Sequence, residues 1–343
     1  MKRLVRFLKK YSLFFSIIFS GILLYYSLYK INWIKFQEIF FTLSPLLILQ
    51  IICWSIFARF IIAYRWYLLL LISEKARFQL IWDFTNIGYF INNIFPARLG
   101  DVVKSIMWSK AENQSKSKAI ASVGMERIFD MLGLSFVFIS ILLIQDIAYE
   151  YRIAGSILTL IVLLILLLLF LLPKTLLKIL LKYKKSKNKT ILWIFSKIEL
   201  VLNYFAQLKD LKSGILFILT TLTIWFLYVL IGYLIARIMV PEHLAWHASL
   251  LSLLIVGLSF ILPTTPGNIG VYQFACVIAF GILNIDKATA IAYSIISQLS
   301  VYFLSLLLGF ISLWNRGINL KSLHKQSNSD QMKQNQAKTK GNT

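Results

Sequence analysis

The residues of this chain that could do chemistry are charged groups set in apolar sequence. Asn92, Asn93, Arg98, Asp101 and Lys104 gather around Pro96 and Gly100, and Glu126, Arg127 and Asp130 follow after an amphipathic connection, Lys110 to Lys118. Glu126 and Asp130 are four apart and share a helical face. A guanidinium carries a planar fork of donors that matches phosphate. Arg98 and Arg127 are therefore candidate ligands for an anionic phosphate, with Asp101, Glu126 and Asp130 holding them in place and Asn93 beside them. The same spacing fits structural ion pairs and positive anchors at helix ends, and both readings stay open. Arg59 and Arg65 could line the same cavity, or could snorkel to the headgroups.

A second group, Pro263 to Gln273, carries no charge. Pro266, Gly267, Asn268, Gly270 and Gln273 make it a broken segment that can offer backbone N–H groups, a helix N-terminus near Val271, and the side chains of Thr264, Thr265, Asn268 and Gln273. A purely structural hairpin is the competing reading. His243 and His247 lie four apart beside Glu242, a spacing that could hold a metal, but no convincing further ligand accompanies them. They read as interfacial residues, and neither a metal nor a cofactor is expected. Enzyme classes fare poorly. An intramembrane serine protease wants Gly-x-Ser-Gly, whereas Gly257-Leu258-Ser259-Phe260 lacks the second glycine. An aspartyl intramembrane protease wants Gly-x-Gly-Asp, and Arg98 stands at the first glycine before Gly100-Asp101. A polyprenyl-linked glycosyltransferase usually offers an acidic outer loop, and the outer loops here are short and nearly free of paired acids.

These groups must be positioned by membrane helices. Of 343 residues, 59% are hydrophobic and 15% charged, and the net charge is +22; such a balance does not fit a soluble protein. Apolar runs long enough to cross a bilayer are expected at about 12–31, 41–64, 128–144, 153–172, 215–235 and 288–314. Phe84 to Val103 and Leu250 to Leu283 are broken by Pro and Gly, so neither reads as one straight helix. If both turn back as re-entrant hairpins, 31 of the 36 Lys and Arg fall on one side, with Lys30, Lys35, Arg152, Arg237 and Lys287 opposite. The positive-inside rule makes the crowded side cytoplasmic. The basic balance is then an inner-leaflet signature toward anionic lipid, not a nucleic-acid one.

This expectation, an all-α polytopic protein with six crossings and two hairpins, has a consequence for symmetry. Each half, about 1–147 and 148–315, holds two crossings, a hairpin and a third crossing, so the second half is inverted relative to the first. The spacing Pro-x-x-(Leu/Ile)-Gly recurs at both proposed tips, Pro96 to Gly100 and Pro266 to Gly270. Inverted repeats with broken helices are how transporters build a midplane site, and broken backbone at that depth must line a cavity or be buried in protein. The basic first helix reads as uncleaved, and residues 316–343 as a disordered cytoplasmic tail. Cys53 and Cys276 lie in apolar runs and read as small hydrophobes.

Three motifs in order, Asn93-Ile94-Phe95-Pro96-Ala97-Arg98-Leu99-Gly100-Asp101, Glu126-Arg127-Ile128-Phe129-Asp130 and Pro263-Thr264-Thr265-Pro266-Gly267-Asn268-Ile269-Gly270, resemble the flippase-like family related to the membrane half of bacterial lysylphosphatidylglycerol synthases. The resemblance covers about residues 10–315. It implies a membrane domain that moves a phospholipid or lipid-linked intermediate between leaflets of the bacterial inner membrane, with the arginines near an anionic headgroup. The family's second motif looks like Pro-Gly-Gly-x-Gly followed by Arg-Glu, whereas Asn268, Tyr272 and Gln273 stand here, so no ionisable group is expected at that place. The resemblance does not reach the synthases' soluble aminoacyl-transfer domain, and lysyl transfer by this chain alone is not expected. The alternative is a non-transporting partner or regulator of a cell-envelope synthase or glycosyltransferase.

Overall fold

The computed structural model describes residues 2–71, 75–95, 99–144, 149–183, 189–207, 211–259 and 265–318, and all regular structure among them is helical. The helices are α1 (Lys2–Leu28), α2 (Trp33–Phe41), α3 (Pro45–Leu71), α4 (Phe78–Ile94), α5 (Leu99–Ala111), α6 (Lys116–Ile144), α7 (Tyr149–Leu171), α8 (Pro173–Tyr183), α9 (Lys189–Gln207), α10 (Leu211–Ala236), α11 (Glu242–Ser259), α12 (Val271–Ile282) and α13 (Lys287–Asn315), with a 3-10 turn, Pro266–Asn268, before α12.

In hydrocarbon each backbone N–H and C=O must be satisfied within its own segment, so apolar sequence of this length folds as helix. Four helices are long and apolar enough to cross a bilayer: Pro45–Leu71, Lys116–Ile144, Gly214–Ala236 and Lys287–Asn315. Two bent pairs raise the number to as many as six: Phe15–Leu28 with Trp33–Phe41, turned by 90°, and Gly155–Leu171 with Pro173–Lys182, turned by 86°. The first and fourth expected crossings, 12–31 and 153–172, end at these two bends. Asn32 caps α2, its side-chain oxygen accepting from the Lys35 N–H at 3.1 Å. Pro173 has no amide hydrogen to lose and starts α8 at the second bend. The stretch 174–212, read from sequence only as a basic segment, contains α8 and α9, with Lys174, Lys178 and Lys182 recurring every fourth residue along α8.

Small residues let the helices approach closely, as they must where lipid offers no hydrophobic drive between them. Gly133 of α6 lies against the Trp225 ring of α10, where an added Cβ would sit 1.9 Å from the indole. Gly309 of α13 faces Phe90 and the Asn86 carbonyl of α4. One helical stretch further on, Arg316 Nε donates to Asp83 at 2.6 Å. As α13 ascends from 309 to 316, α4 descends from 90 to 83, so the two helices are antiparallel. The large side chains of α7, among them Ile157, Leu160, Leu164 and Leu168, are about half exposed and form an outward apolar belt.

Candidate functional site

The first broken segment is a tight helical hairpin. A Cβ on Gly100 would lie 1.8 Å from the Gly88 carbonyl oxygen, so only glycine lets α5 cross α4 at this point. Asn92 fastens the crossing: its Oδ1 accepts from the Gly100 N–H at 2.8 Å and its Nδ2 donates to Asp101 at 3.3 Å. Asp101 sits in the first turn of α5, where the helix N-terminus favours a negative charge.

Three cations and three anions interlock between this hairpin, α6 and α3. Arg127 donates to Asp101 and, at 2.9 Å, to Asp130. The second oxygen of Asp130 accepts from Arg65 at 2.9 Å, and Arg65 reaches Thr221 of α10 at 3.4 Å. Lys104 and Glu126 form a separate pair at 2.5 Å, both side chains only 3% exposed, with the ammonium 4.4 Å from the centre of the Trp66 ring. Charges this deep persist only when paired and hydrogen-bonded. The Arg127 side chain keeps 41% exposure.

Sequence expectation and structure differ at one acid and one arginine. Among the described residues Glu126 holds Lys104. Arg65, for which snorkelling was one reading, is buried with its head on Asp130. The reason is geometric: Glu126 and Arg127 are adjacent on a helix, so their side chains diverge by about 100° and meet different partners. Arg98, with Pro96 and Ala97, lies outside the described residues, as do Pro263 and Thr264 of the second tip.

Arg59 differs from Arg65 and Arg127. It is 4% exposed, its Nη2 donates to Ser305 of α13 at 2.9 Å, and its guanidinium lies 3.5 Å from the centre of the Tyr89 ring. Tyr228 of α10 is a further neighbour of both. Asn93 stands one helical turn beyond Tyr89, half-buried, and its Nδ2 has no partner among the described residues.

The second broken segment is held by amides. Gly267 (φ 69°), Asn268 (φ 58°) and Gly270 (φ 89°) take left-handed backbone, the conformation that lets the chain turn within three residues. Gln273 Oε1 accepts from the Gly270 N–H at 2.7 Å and its Nε2 donates to Gln298 Oε1 at 2.5 Å. Gln298 passes the chain on, donating to the Gly267 carbonyl at 2.7 Å and to the Tyr302 hydroxyl at 3.0 Å. Thr265 donates to the Ile269 carbonyl at 2.9 Å. The polar groups expected to face a ligand are thus largely engaged in fixing the turn to α13. Lone glutamines in an apolar run, such as Gln298, were the signal for this relay.

The second broken segment meets the first hairpin: the turn Pro266–Asn268 packs on α4, and Gly267 abuts the Tyr302 hydroxyl of α13. His247, at the far end of α11, lies 2.8 Å from the His243 carbonyl and 3.2 Å from that of Ile144. Among the described residues no group of three or more His, Cys, Asp and Glu is arranged to hold a metal.

The family model described as the lysylphosphatidylglycerol synthase TM region matches residues 13–309. The chain belongs to the lysylphosphatidylglycerol synthase transmembrane-region family. It is an integral, multi-pass membrane protein, and the family match runs from within α1 to within α13. Two curated relatives come from Methanocaldococcus jannaschii. The UPF0104 membrane protein MJ1078 is 32% identical over 232 residues, 66% of this chain and 93% of that protein. The UPF0104 membrane protein MJ1595 is 25% identical over 303 residues, 81% of this chain and 87% of that protein. No solved structure matches the chain.

Proposed function

We propose that this member of the family moves an anionic phospholipid, or a lipid-linked intermediate with an anionic headgroup, between the leaflets of the plasma membrane. The observation that supports the reading is the packing of the turn Pro266–Asn268 on α4, next to the ion pairs of α3, α5 and α6, an arrangement suited to a polar site at membrane depth. The partly exposed side chain of Arg127, together with Arg98, receives the headgroup phosphate. Asp101 and Asp130 keep that fork aimed while the site is empty. The acyl chains stay outside, against the apolar faces of the helices.

The proposal includes the inverted repeat. Pairings in the first half have counterparts in the second: α4 with α5 and α11 with α12, α5 with α6 and α12 with α13, α3 with α4 and α10 with α11. Across the halves, α4 packs on α13 as α11 packs on α6, and α3 packs on α10, its own counterpart. Both termini then face the cytoplasm. In a cysteine-free background, a cysteine at Ser186 is to be labelled only from the cytoplasm; labelling from outside sinks the repeat.

The test of function is reconstitution into liposomes with a fluorescent phosphatidylglycerol analogue and a membrane-impermeant quencher. Wild-type protein exposes the inner-leaflet pool. Arg127→Ala slows exposure at least tenfold at unchanged monodispersity, and Arg127→Lys restores part of it, because an ammonium cannot reproduce the fork. A wild-type protein that leaves the inner pool protected overturns the proposal in favour of a non-transporting partner of an envelope synthase or glycosyltransferase.

A further inference from the structure

Among the described residues Arg59 is a cation without an anion. No described carboxylate lies within salt-bridge distance, whereas Arg65, Lys104 and Arg127 all have one. Its Nη1 is buried and makes no hydrogen bond among the described residues. Two more buried polar groups on the flanking helix faces share this condition. Ser55 precedes Arg59 by one turn on α3, and its Oγ has no partner; Asn93 follows Tyr89 by one turn on α4, and its Nδ2 has none either. The stacking of Arg59 on Tyr89 brings those two faces together. Three groups able to donate, one of them charged, are thus unsatisfied in one region of the interior. Buried polar groups are ordinarily paired, and a set of orphans on facing helices asks for a ligand with several acceptor oxygens.

We propose that Arg59, Ser55 and Asn93 form a phosphodiester seat inside the bundle, with Tyr89 and Tyr228 as its aromatic wall. The inference rests on the lipid-moving reading and deepens it, since it places a headgroup phosphate at a second station beyond Arg127. Charge selects the diester. One uncompensated guanidinium balances one negative charge, whereas a phosphate monoester or free phosphate near its dianionic form leaves an excess buried charge. Arg127 cannot serve as this station in the resting state, because Asp101 and Asp130 already balance it.

The experiment uses the purified full chain in a neutral detergent, titrated with phosphatidylglycerol, with diacylglycerol as a lipid lacking phosphate, and with inorganic phosphate. Native mass spectrometry and melting temperature are the readouts. Phosphatidylglycerol is to bind and stabilise, and diacylglycerol is not. Arg59→Gln is to weaken phosphatidylglycerol binding roughly 10- to 100-fold, the range for loss of charge-assisted hydrogen bonds. Asn93→Asp guards against a folding artefact: it supplies an internal carboxylate to Arg59, so the lipid-free melting temperature holds or rises while binding falls. Equal binding in wild type, Arg59→Gln and Asn93→Asp overturns the seat. Binding of inorganic phosphate with no retention of phosphatidylglycerol overturns its assignment to a lipid diester. Arg59-dependent binding without leaflet exchange would leave the seat standing and remove the lipid-moving reading. Exchange that persists in Arg59→Gln with unchanged binding removes the seat alone.

Discussion

The two hairpins solve the same problem with different chemistry. Each must bury a break in helical hydrogen bonding within an apolar bundle. The first, α4–α5, does so with glycine-to-carbonyl contact, one asparagine and six charged groups shared with α3 and α6. The second, from α11 to α12, does so with three left-handed residues and a relay of two glutamines that ends on α13. Ion pairs are strong but depend on every partner, because an orphaned charge in low dielectric is far costlier than an orphaned amide. Under the proposed function, a headgroup phosphate that draws on Arg127 perturbs Asp101 and Asp130 together, whereas nothing in the glutamine relay has charge to exchange.

The largest expected effect breaks this contrast on the charged side. Glu126→Gln strands the Lys104 ammonium beside Trp66 and is to cost about 3–5 kcal/mol, read as lost melting temperature in detergent. The double variant Lys104→Met with Glu126→Leu is to recover most of that loss; a double variant as unstable as the single one would mean that packing, not charge pairing, holds this hairpin. Next come the glycines. Gly100→Ala drives a methyl into the Gly88 carbonyl, and Gly270→Ala meets the Ser20 carbonyl at 2.2 Å with an unfavourable φ of 89° in addition. Losses of about 1–3 kcal/mol are expected, larger at Gly270, where clash and backbone strain act together.

A smaller effect tests the relay. Gln273→Leu leaves the Gly270 N–H and the Gln298 oxygen unsatisfied, at about 1–2 kcal/mol. Gln273→Glu sharpens the point, since a protonated acid can still donate to Gln298 but a carboxylate cannot. Its melting temperature is to fall as pH rises, while wild type stays flat over the same range; a variant insensitive to pH would show that the relay does not need this donor. The smallest effect lies at the α2–α13 junction, outside the spans. Burial works against the charge of Asp286, but hydrogen bonds from Lys35 at 2.6 Å and from Thr289 outweigh it and hold the carboxyl below its usual range. A lowered value means that the stabilisation is present above about pH 4 and is lost as pH falls through the lowered titration. Both side chains are over 40% exposed, so Lys35→Met is to cost less than about 1 kcal/mol at pH 7, and progressively less as pH falls through the lowered titration of Asp286.

Composition and periodicity by themselves determined that the chain is helical and membrane-embedded, because only long apolar runs satisfy their backbone in lipid. They also marked the two stretches that break, since proline and glycine cluster at Pro96 to Gly100 and at Pro263 to Gly270. That the chain continues beyond Leu28 and Leu171 as helices turned by 90° and 86° was not legible, because composition does not fix the direction a chain takes after a crossing. Partner choice was not legible either. Adjacent Glu126 and Arg127 point different ways, and whether each finds Lys104, Asp130 or Asp101 depends on the crossing of α3, α4, α5 and α6. Gln273 read as a missing acid; only its contact with Gln298, 25 residues away, makes it a fastener. Arg59 is the clearest case. In sequence it is one of several arginines near a helix end, and tertiary packing alone leaves it buried on Tyr89 with no acid beside it, since the charge balance of a site is set by which helices meet there.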